Sequence, residues 1–209
     1  MEITVMAVMA VGANGANCYI VGRDQQGIVI DPGSEGERIL KLVDERGLQI
    51  KAIINTHGHF DHIGANDILR ATTGAPLYIH EQDAPMLTDA NKNLATWAGM
   101  GEVISPPADN LLHGGEVLDF GGLKLQILHT PGHTPGCICI QIGDTLFTGD
   151  TLFAGSVGRV DLPGSSQSAL ANSLHNVILA LPSHMAIYPG HGPSSTLRHE
   201  REQNPFLQA

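Results

Sequence analysis

The sequence predicts an α/β (α+β) fold with four layers, an αβ/βα sandwich in which two sheets pack face to face between outer helices. The first observation is the order of the predicted elements, which is β-rich, α/β, β-rich and α/β again. The second is that the strands are short apolar runs, which need burial on both faces. No linker, low-complexity segment or charge block divides the 209 residues. We therefore expect residues 1–209 to form a single domain.

The first half of the chain predicts strands joined by tight turns, followed by helices and strands in alternation. Ser34, with Glu37 three residues later, forms a capping-box pattern that predicts the start of a helix, and Gly47 predicts its end. A second helix is predicted from Gly64 to near Thr73. The predicted strands begin near Ile3 and then cover residues 17–21, 27–31, 52–55 and 76–80.

The second half predicts a β-rich segment, a long helix and a last strand. Prolines and several asparagines within residues 81–112 predict only short helices and loops there. Leucine and valine recur at helical spacing over residues 170–181, which predicts an amphipathic helix that Pro182 closes. The predicted strands cover residues 116–120, 123–128, 137–142, 145–148 and 185–188, and a short polar helix follows.

Composition and charge exclude several classes of protein. Hydrophobic residues make up 42% of the chain, which is enough to fill a core and argues against disorder. No apolar run reaches the roughly 18–20 residues that a membrane span needs, and residues 1–12 carry Glu2 and no basic region, so we expect no signal peptide. The 3 cysteines are too few for a disulfide framework, which predicts a reducing, cytoplasmic location. The net charge of −10 argues against nucleic acid or an anionic membrane as a partner.

The strongest indication of function is the segment His-Gly-His-Phe-Asp-His at residues 57–62, directly after a predicted buried strand. A loop at the end of a strand can separate its four potential ligands into two pairs, His57 with His59 and Asp61 with His62. Neutral imidazole and carboxylate groups suit Zn²⁺ and similar divalent ions, and catalytic sites leave one coordination position open. The segment therefore predicts a catalytic metal site.

Three further residues of ligand type stand next to glycine just beyond later apolar strands, namely His133, Asp150 and His191. Loops at one edge of a sheet bring polar groups from distant segments together, so we expect these residues to meet the 57–62 segment. Together they suffice for two divalent ions, expected to be zinc, with iron or manganese as alternatives. The predicted ligands are His57, His59 and His133 for the first ion, Asp61, His62 and His191 for the second, and Asp150 as the bridge.

The H-x-H-x-D-H motif, followed by single His, Asp and His residues at strand ends, resembles the metallo-β-lactamase fold over residues 17–191. Within that superfamily, segments 158–164 (GRVDLPG) and 188–193 (YPGHGP) resemble the short bacterial glyoxalase II-like group. The resemblance implies a hydroxyacylglutathione hydrolase or a close relative, which cleaves thioesters such as S-lactoylglutathione. The chain ends soon after His191, so we expect no separate C-terminal helical substrate domain, and the resemblance does not imply glutathione specificity.

The predicted site also suggests a mechanism of hydrolysis. Two cations that share Asp150 would share a water molecule, whose pKa falls from about 16 to about 7 on metal binding. A metal-bridging hydroxide is therefore expected to attack the thioester carbonyl of a small-molecule substrate. The thiolate leaves without a strong general acid because a free thiol has a pKa of about 8.5. Asp61 is accordingly predicted to be a ligand and not the catalytic base.

Residues beside the ligands are expected to support the site. Arg159 with Asp161 is predicted to orient a nearby loop, and binding of a substrate carboxylate by Arg159 is disfavoured because Asp161 would neutralise it. Trp97 and Met100 are predicted to flank the opening of the site. Threonine hydroxyls can hold ligand rings or carboxylates by hydrogen bonds. The threonines predicted to do so are Thr56, Thr130 and Thr148.

Other functions stay open on the same scaffold. Persulfide dioxygenases share a similar Gly-Arg-x-Asp stretch but use one iron ion, held by two histidines and one aspartate. A lactamase or lactonase would use the same hydroxide on another acyl carbon. A phosphodiesterase or nuclease is disfavoured by the acidic charge of the chain. A non-catalytic metal-binding module is disfavoured because every ligand position is filled, and the oligomeric state is left open.

Overall fold

The computed structural model describes residues 3–9 and 15–208 of the chain. Its main body is a pair of six-stranded sheets, and a separate two-stranded hairpin lies beside them. Helices contribute to the apolar clusters on the outer side of each sheet. The predicted four-layer αβ/βα arrangement is therefore confirmed.

The first sheet combines an antiparallel start with a parallel continuation. Its strands, in spatial order, are β1 (Thr4–Met9), β2 (Asn17–Arg23), β3 (Gln26–Ile30), β4 (Gln49–Ile54), β5 (Leu77–His80) and β6 (Asn110–Leu112). The pairings β1–β2 and β2–β3 are antiparallel, whereas β3–β4, β4–β5 and β5–β6 are parallel. Parallel neighbours need crossover connections, and these contain the helices that follow β3, β4 and β5.

The second sheet is mostly antiparallel and has one parallel pair, β10–β13. Its strands in chain order are β7 (Val117–Phe120), β8 (Leu123–His129), β9 (Ile138–Ile142), β10 (Thr145–Gly149), β13 (Ala186–Pro189) and β14 (Ser195–Thr196). The separate hairpin pairs β11 (Leu152–Phe153) with β12 (Ser156–Val157). The short strands β6, β11, β12 and β14 were not predicted, because two or three residues carry no periodic pattern.

The helices are short and connect or cover the strands. Their bounds are α1 (Gly36–Glu45), α2 (Phe60–Ile63), α3 (Asn66–Thr73), α4 (Ala84–Leu87), α5 (Gln167–Ser173) and α6 (Leu197–Gln203). A π-helical turn (Leu174–Ile178) continues α5, and a 3₁₀ turn (Pro205–Leu207) follows α6. In the described part of the chain, no helix is both long enough and apolar enough to cross a membrane.

Alternation along the strands fills three apolar layers. In β2, Tyr19 and Val21 pack between the two sheets, whereas Cys18 and Ile20 pack against the cluster that contains residues of α1 and α3. In β9, Cys139 faces the cluster formed with α5 and α6. Successive side chains of a strand point to opposite faces, so both faces of the central strands are buried.

The predicted capping box before α1 is wrong. The N-cap residue is Glu35, which has a left-handed backbone (φ 53°, ψ 41°), and no side chain caps the helix. Tertiary contact explains the difference, because a Cβ at Gly33 would lie 1.6 Å from the Asp61 carbonyl oxygen and one at Gly36 would lie 2.3 Å from Ile68 Cγ2. The chain enters α1 along a path set by this packing.

The predicted helix over residues 170–181 is α-helical at its start and π-helical from Leu174 to Ile178. Ser166 begins α5, and its hydroxyl accepts a hydrogen bond from the Ala169 amide at 3.3 Å. The helix then widens into the π-helical turn, which buries Ile178 in place of Val177. A pattern read at 3.6 residues per turn cannot register this change of pitch.

Candidate metal centre

The predicted ligands lie in loops at the ends of four strands. Residues 57–62 follow β4, His133 lies between β8 and β9, Asp150 directly follows β10, and His191 follows β13. Strands β10 and β13 pair in parallel, with Gly149 opposite Pro189, so their following residues emerge side by side. The Ile138 amide donates to the Thr56 carbonyl at 2.9 Å and so joins the loop after β4 to the second sheet. The topology therefore gathers all four loops at one edge.

The local fold of residues 57–62 divides them into an extended part and a helical part. His59 has an extended backbone (φ −68°, ψ 149°) and is the N-cap of α2, which contains Asp61 and His62. Gly58 is required in the extended part, because a Cβ there would lie 2.6 Å from Met86 Cβ. The two halves present their side chains from different directions.

The structure brings all the predicted ligands together. Their donor atoms form three groups, in each of which the atoms lie within 4.8 Å of one another: His57, His59 and His133; His57, His62 and Asp150; and Asp61, His62 and His191. The Asp150 carboxylate lies between the sets, with Oδ2 3.5 Å from Nε2 of both His133 and His191. Its Oδ1 lies 3.5 Å from His62 Nε2. The predicted ligands therefore lie in one cluster, and their division between two ions with Asp150 as the bridge stays a prediction.

Unpaired polar atoms at the centre of the cluster test whether metal ions fit it. Among the described residues, His57 Nε2, His59 Nε2 and Asp150 Oδ1 are buried and have no hydrogen-bond partner. Leaving such an atom unpaired costs about 1–3 kcal/mol. Imidazole nitrogens and carboxylate oxygens are ligands of zinc and similar ions. The donor set therefore fits divalent metal ions.

Electrostatics divide the histidines into two kinds. Burial, together with the neighbouring imidazole of His133, lowers the pKa of His59 to about 3. Burial and the imidazole of His62 likewise lower the pKa of His57. Burial opposes protonation of His62 as well, but the carboxylates of Asp150 and other neighbours outweigh it and raise its pKa to about 10. A cation is therefore favoured at the acidic half of the site, which consists of Asp61, His62 and His191. A metal ion bound there would displace a proton.

The acidic half is charged because its carboxylate is well paired. Burial alone would raise the pKa of Asp61, but His62 and His191 lower it to about 2. Burial also opposes protonation of His191, whose pKa is nevertheless raised by Asp61 and Asp150. The Asp61 carboxylate and the His191 imidazole, 3.3 Å apart, therefore favour opposite charges within a partly buried cluster.

Asp31 supports the cluster and was not predicted. Its Oδ2 lies 3.0 Å from His62 Nδ1, on the ring edge opposite the cluster. It also accepts hydrogen bonds from the Thr56 amide (2.7 Å) and the Thr56 hydroxyl (2.6 Å). A carboxylate in this position fixes both the tautomer and the orientation of a ligand ring. Its position after an apolar strand and before Pro-Gly is the signal that could have found it.

Of the threonines predicted to support ligands, only Thr56 does so, since its hydroxyl lies 3.2 Å from His57 Nδ1. The prediction for Thr130 and Thr148 is wrong. The Thr130 hydroxyl lies 2.9 Å from that of Thr151, and the Thr148 hydroxyl donates to the Leu152 carbonyl at 2.7 Å. Both hydroxyls therefore hold the turn that carries Asp150 and contact no ligand side chain.

A buried carboxylate, Asp83, joins two of the ligand loops. Its Oδ2 accepts hydrogen bonds from the Gly58 amide (3.0 Å) and the Thr134 hydroxyl (2.6 Å), and its Oδ1 accepts one from the Gly136 amide (2.7 Å). Burial raises the pKa of Asp83, while the Thr134 hydrogen bond opposes this. The loops that carry His59 and His133 are thereby tied together.

The loop of residues 158–161 lies against the site. The Arg159 carbonyl oxygen lies 2.8 Å from His133 Nδ1. The Arg159 guanidinium binds both oxygens of Asp161, at 2.7 Å from Nε and 2.8 Å from Nη2. A Cβ at Gly158 would lie 1.9 Å from the Asp150 carbonyl oxygen, so this loop needs glycine to approach the ligand.

A cavity of about 380 Å³ opens onto the cluster. The predicted ligands that line it are His59, Asp61, His133, Asp150 and His191. Most of the other lining side chains are apolar, with Leu94, Trp97 and Ala98 from one segment and Phe153, Val157 and Leu162 from another, and the polar Ser156 and Arg159 line it as well. Trp97 lines the cavity as predicted, whereas Met100 is not among the lining residues. The cavity provides a place for a substrate beside the open side of the cluster.

Comparison of the sequence identifies relatives over almost its full length. The probable metallo-hydrolase YqgX of Bacillus subtilis is 41% identical over 201 residues, which are 95% of each chain. Hydroxyacylglutathione hydrolase GloC of Haemophilus influenzae is 33% identical over 206 residues, which are 97% of each chain.

Solved structures resemble the fold closely. BLEG-1, described as a B3 metallo-β-lactamase, matches with a TM-score of 0.93 and 34% identity over 100% of both chains. TTHA1623 in a di-iron-bound form matches with a TM-score of 0.86 and 40% identity, over 97% of this chain and 100% of the other. ETHE1 from Myxococcus xanthus matches with a TM-score of 0.80 and 28% identity, over 97% of this chain and 83% of the other.

A family model described as the metallo-beta-lactamase superfamily matches residues 11–191, a span that contains every predicted ligand. Members of this superfamily bind divalent metals, which agrees with the donor set of the cluster. The chain belongs to the metallo-β-lactamase superfamily.

Proposed function

We infer that the protein is a metal-dependent hydrolase of small-molecule thioesters that holds two divalent metal ions. The observation that carries the proposal is the convergence of ligand-type side chains from four loops on the two sides of Asp150, next to an open cavity. His57, His59 and His133 would hold one ion, and Asp61, His62 and His191 would hold the other. Bound divalent ions supply Lewis acidity, which lowers the pKa of water and polarises a carbonyl group.

The side chains around the cavity favour a substrate whose leaving group needs no proton. In the described part of the chain, the titratable residues that line the cavity are predicted ligands and Arg159. A side chain that holds a metal ion is not free to donate a proton, and arginine keeps its proton near neutral pH. A thiolate departs readily because a free thiol has a pKa of about 8.5. A thioester therefore suits this site better than a substrate that releases an amine.

The site is also shaped to hold its side chains in place before a substrate arrives. Asp31 orients His62, Thr56 contacts His57, and the Arg159 carbonyl contacts His133. Such outer contacts change metal affinity or activity by about 10–100-fold. The name of the Haemophilus relative, a hydroxyacylglutathione hydrolase, supports the same reaction class.

The test is metal analysis of protein purified without chelators or added metals, followed by assays on thioesters, lactones and phosphodiesters. We expect about two equivalents of zinc, iron or manganese per chain and turnover of thioesters. His59→Ala and Asp150→Asn should abolish turnover and leave the protein folded, because the core lies in the strands. His113→Ala is the matched control, since this exposed imidazole pairs with Glu81 away from the cavity. Full turnover by His59→Ala would contradict the proposal.

A persulfide dioxygenase is the second candidate. The group His57, His62 and Asp150 supplies two histidines and one carboxylate, which suits a single non-haem iron. The similarity to ETHE1 is compatible with this alternative. Oxygen consumption with glutathione persulfide, without hydrolysis of any thioester, would favour it over the first proposal.

The remaining expectations from the sequence stay part of this proposal. Cys18, Cys137 and Cys139 are all unpaired and buried, which supports a reducing, cytoplasmic location. The two sheets share an apolar layer, which supports a single domain. We propose no nucleic acid or membrane partner, in keeping with the net charge of −10.

A further inference from the structure

We propose that the site prefers thioesters whose acyl and thiol chains are uncharged and apolar. We propose further that Asp161 maintains this preference by neutralising Arg159. The inference rests on the proposed thioester hydrolase function and adds the class of substrate. Two independent observations carry it. The first is the composition of the cavity wall, and the second is the pairing of its cation.

The wall beyond the ligand cluster is mostly apolar, and its two polar residues are Ser156 and Arg159. Leu94, Trp97 and Ala98 come from the segment before β6, and Phe153, Val157 and Leu162 come from the segment around the β11–β12 hairpin. Trp97 is 68% exposed although it is the largest apolar side chain of the wall. An exposed apolar surface that lines a cavity marks a binding site for apolar groups. An acyl or thiol chain that covers this wall gains about fourfold in affinity for each buried methylene.

The wall offers no free positive charge to a carboxylate. Among the described residues that line the cavity, Arg159 is the only lysine or arginine. Its Nε and Nη2 already donate to the two oxygens of Asp161. Residues 1–2, 10–14 and 209, which the structure does not describe, contain no lysine or arginine either. The carboxylates of a glutathione moiety would therefore lose water in this cavity without gaining a cation.

The loop that carries the Arg159–Asp161 pair lies against the ligand cluster. The Arg159 carbonyl lies 2.8 Å from His133 Nδ1, and Gly158 leaves no room for a side chain against Asp150. The backbone of this loop is therefore held beside the ligand cluster, and the charge of the guanidinium is neutralised by the two hydrogen bonds to Asp161. Removing the Asp161 charge frees Arg159 for a substrate carboxylate at the cavity.

The first experiment compares two hexanoyl thioesters with the metal-loaded enzyme. One carries N-acetylcysteamine, a neutral thiol, and the other carries glutathione, which has two carboxylates. We expect kcat/KM to be about tenfold or more higher for the neutral thioester, because an unpaired carboxylate is costly to desolvate. With the neutral thiol, kcat/KM should also rise from acetyl through butanoyl to hexanoyl. Equal or faster turnover of the glutathione thioester would overturn the inference and leave the hydrolase function intact.

The second experiment tests the role of Asp161 with the variant Asp161→Asn. The preference for the neutral over the glutathione thioester should shrink by about two- to fivefold, the range expected from one exposed ion pair. Asp144→Asn is the matched control, because Asp144 is an exposed carboxylate paired with His184 (3.1 Å) at the other end of β10. An unchanged preference in Asp161→Asn would contradict the assigned role.

A binding measurement separates this inference from the reaction itself. Trp97 is the only tryptophan of the chain and lines the cavity, so its fluorescence reports the entry of a ligand. The probes are S-hexylglutathione and the S-hexyl thioether of N-acetylcysteamine, neither of which can be hydrolysed. Tighter binding of the neutral thioether supports the inference even if no thioester is turned over, in which case only the proposed reaction fails. Equal binding, or tighter binding of S-hexylglutathione, overturns the inference.

Discussion

Replacement of Asp83 by asparagine is the sharpest test of how the ligand loops are held. The Asp83 side chain is fully buried and accepts three hydrogen bonds, two at Oδ2 and one at Oδ1. An asparagine of the same shape offers one oxygen and one amino group, so at least one donor faces another donor. The best placement keeps the oxygen toward Gly58 and Thr134 and leaves the Gly136 amide without an acceptor.

The magnitude follows from these contacts. A buried amide without an acceptor costs about 1–3 kcal/mol, and hydrogen bonds to a charged acceptor are stronger than those to a neutral one. We therefore expect Asp83→Asn to lower the free energy of unfolding by about 2–4 kcal/mol. Because Asp83 ties the loop of His59 to the loop of His133, metal affinity should fall by about 10–100-fold.

Urea unfolding measures the first quantity, and competition with a metal chelator measures the second. Asp144→Asn serves as the control for an exposed aspartate, and it should change neither. If Asp83→Asn unfolds within about 0.5 kcal/mol of the natural protein and keeps its metal affinity, then the loops are not held through this carboxylate.

Three further predictions use other parts of the molecule. Asp31→Asn should weaken metal binding by about 10–100-fold in chelator competition, because its oxygen holds His62 Nδ1 at 3.0 Å; unchanged affinity would contradict this. Gly190→Ala should lose metal and activity together, since a Cβ there would lie 2.2 Å from Asp150 Oδ1; two bound ions per chain would refute this. His80→Phe should reduce the loss of stability on acidification. Burial lowers the pKa of His80, so the unfolded chain takes up the proton first and stability falls as pH drops below about 6.5. Urea unfolding at pH 7 and pH 5 should show the variant losing less stability, and equal losses would exclude this origin.

The sequence predicted the layers and the ligands because both leave local patterns. Buried strands have the pattern of apolar runs, and the ligand segments follow such runs with a glycine among their residues, as at Asp150 and His191. Asp31 follows β3 in the same way but was missed, because it lies outside the histidine motif and its local sequence does not indicate contact with His62. Its position became informative only when β3 and β4 were seen to pair.

Interactions between distant segments could not be predicted. Asp83 lies in a stretch without periodic pattern, and its partners stand 25 to 53 residues away. The capping box at Ser34 failed for a related reason, because contact between Gly33 and the Asp61 carbonyl sets the path into α1. A local hydrogen-bond motif worth about 1 kcal/mol yields when tertiary packing requires another path.

Contacts around the cluster hold the ligands from four loops beside one another. His62 is held by Asp31, His133 by the Arg159 carbonyl, and the loops of His59 and His133 by Asp83. Among the described residues of the cluster, the buried atoms without a hydrogen-bond partner are His57 Nε2, His59 Nε2 and Asp150 Oδ1, where a cation would lie. A bound ion would satisfy these atoms and offset the cost of burying them without partners. Metal binding is therefore expected to stabilise the folded protein through the loops that carry the ligands.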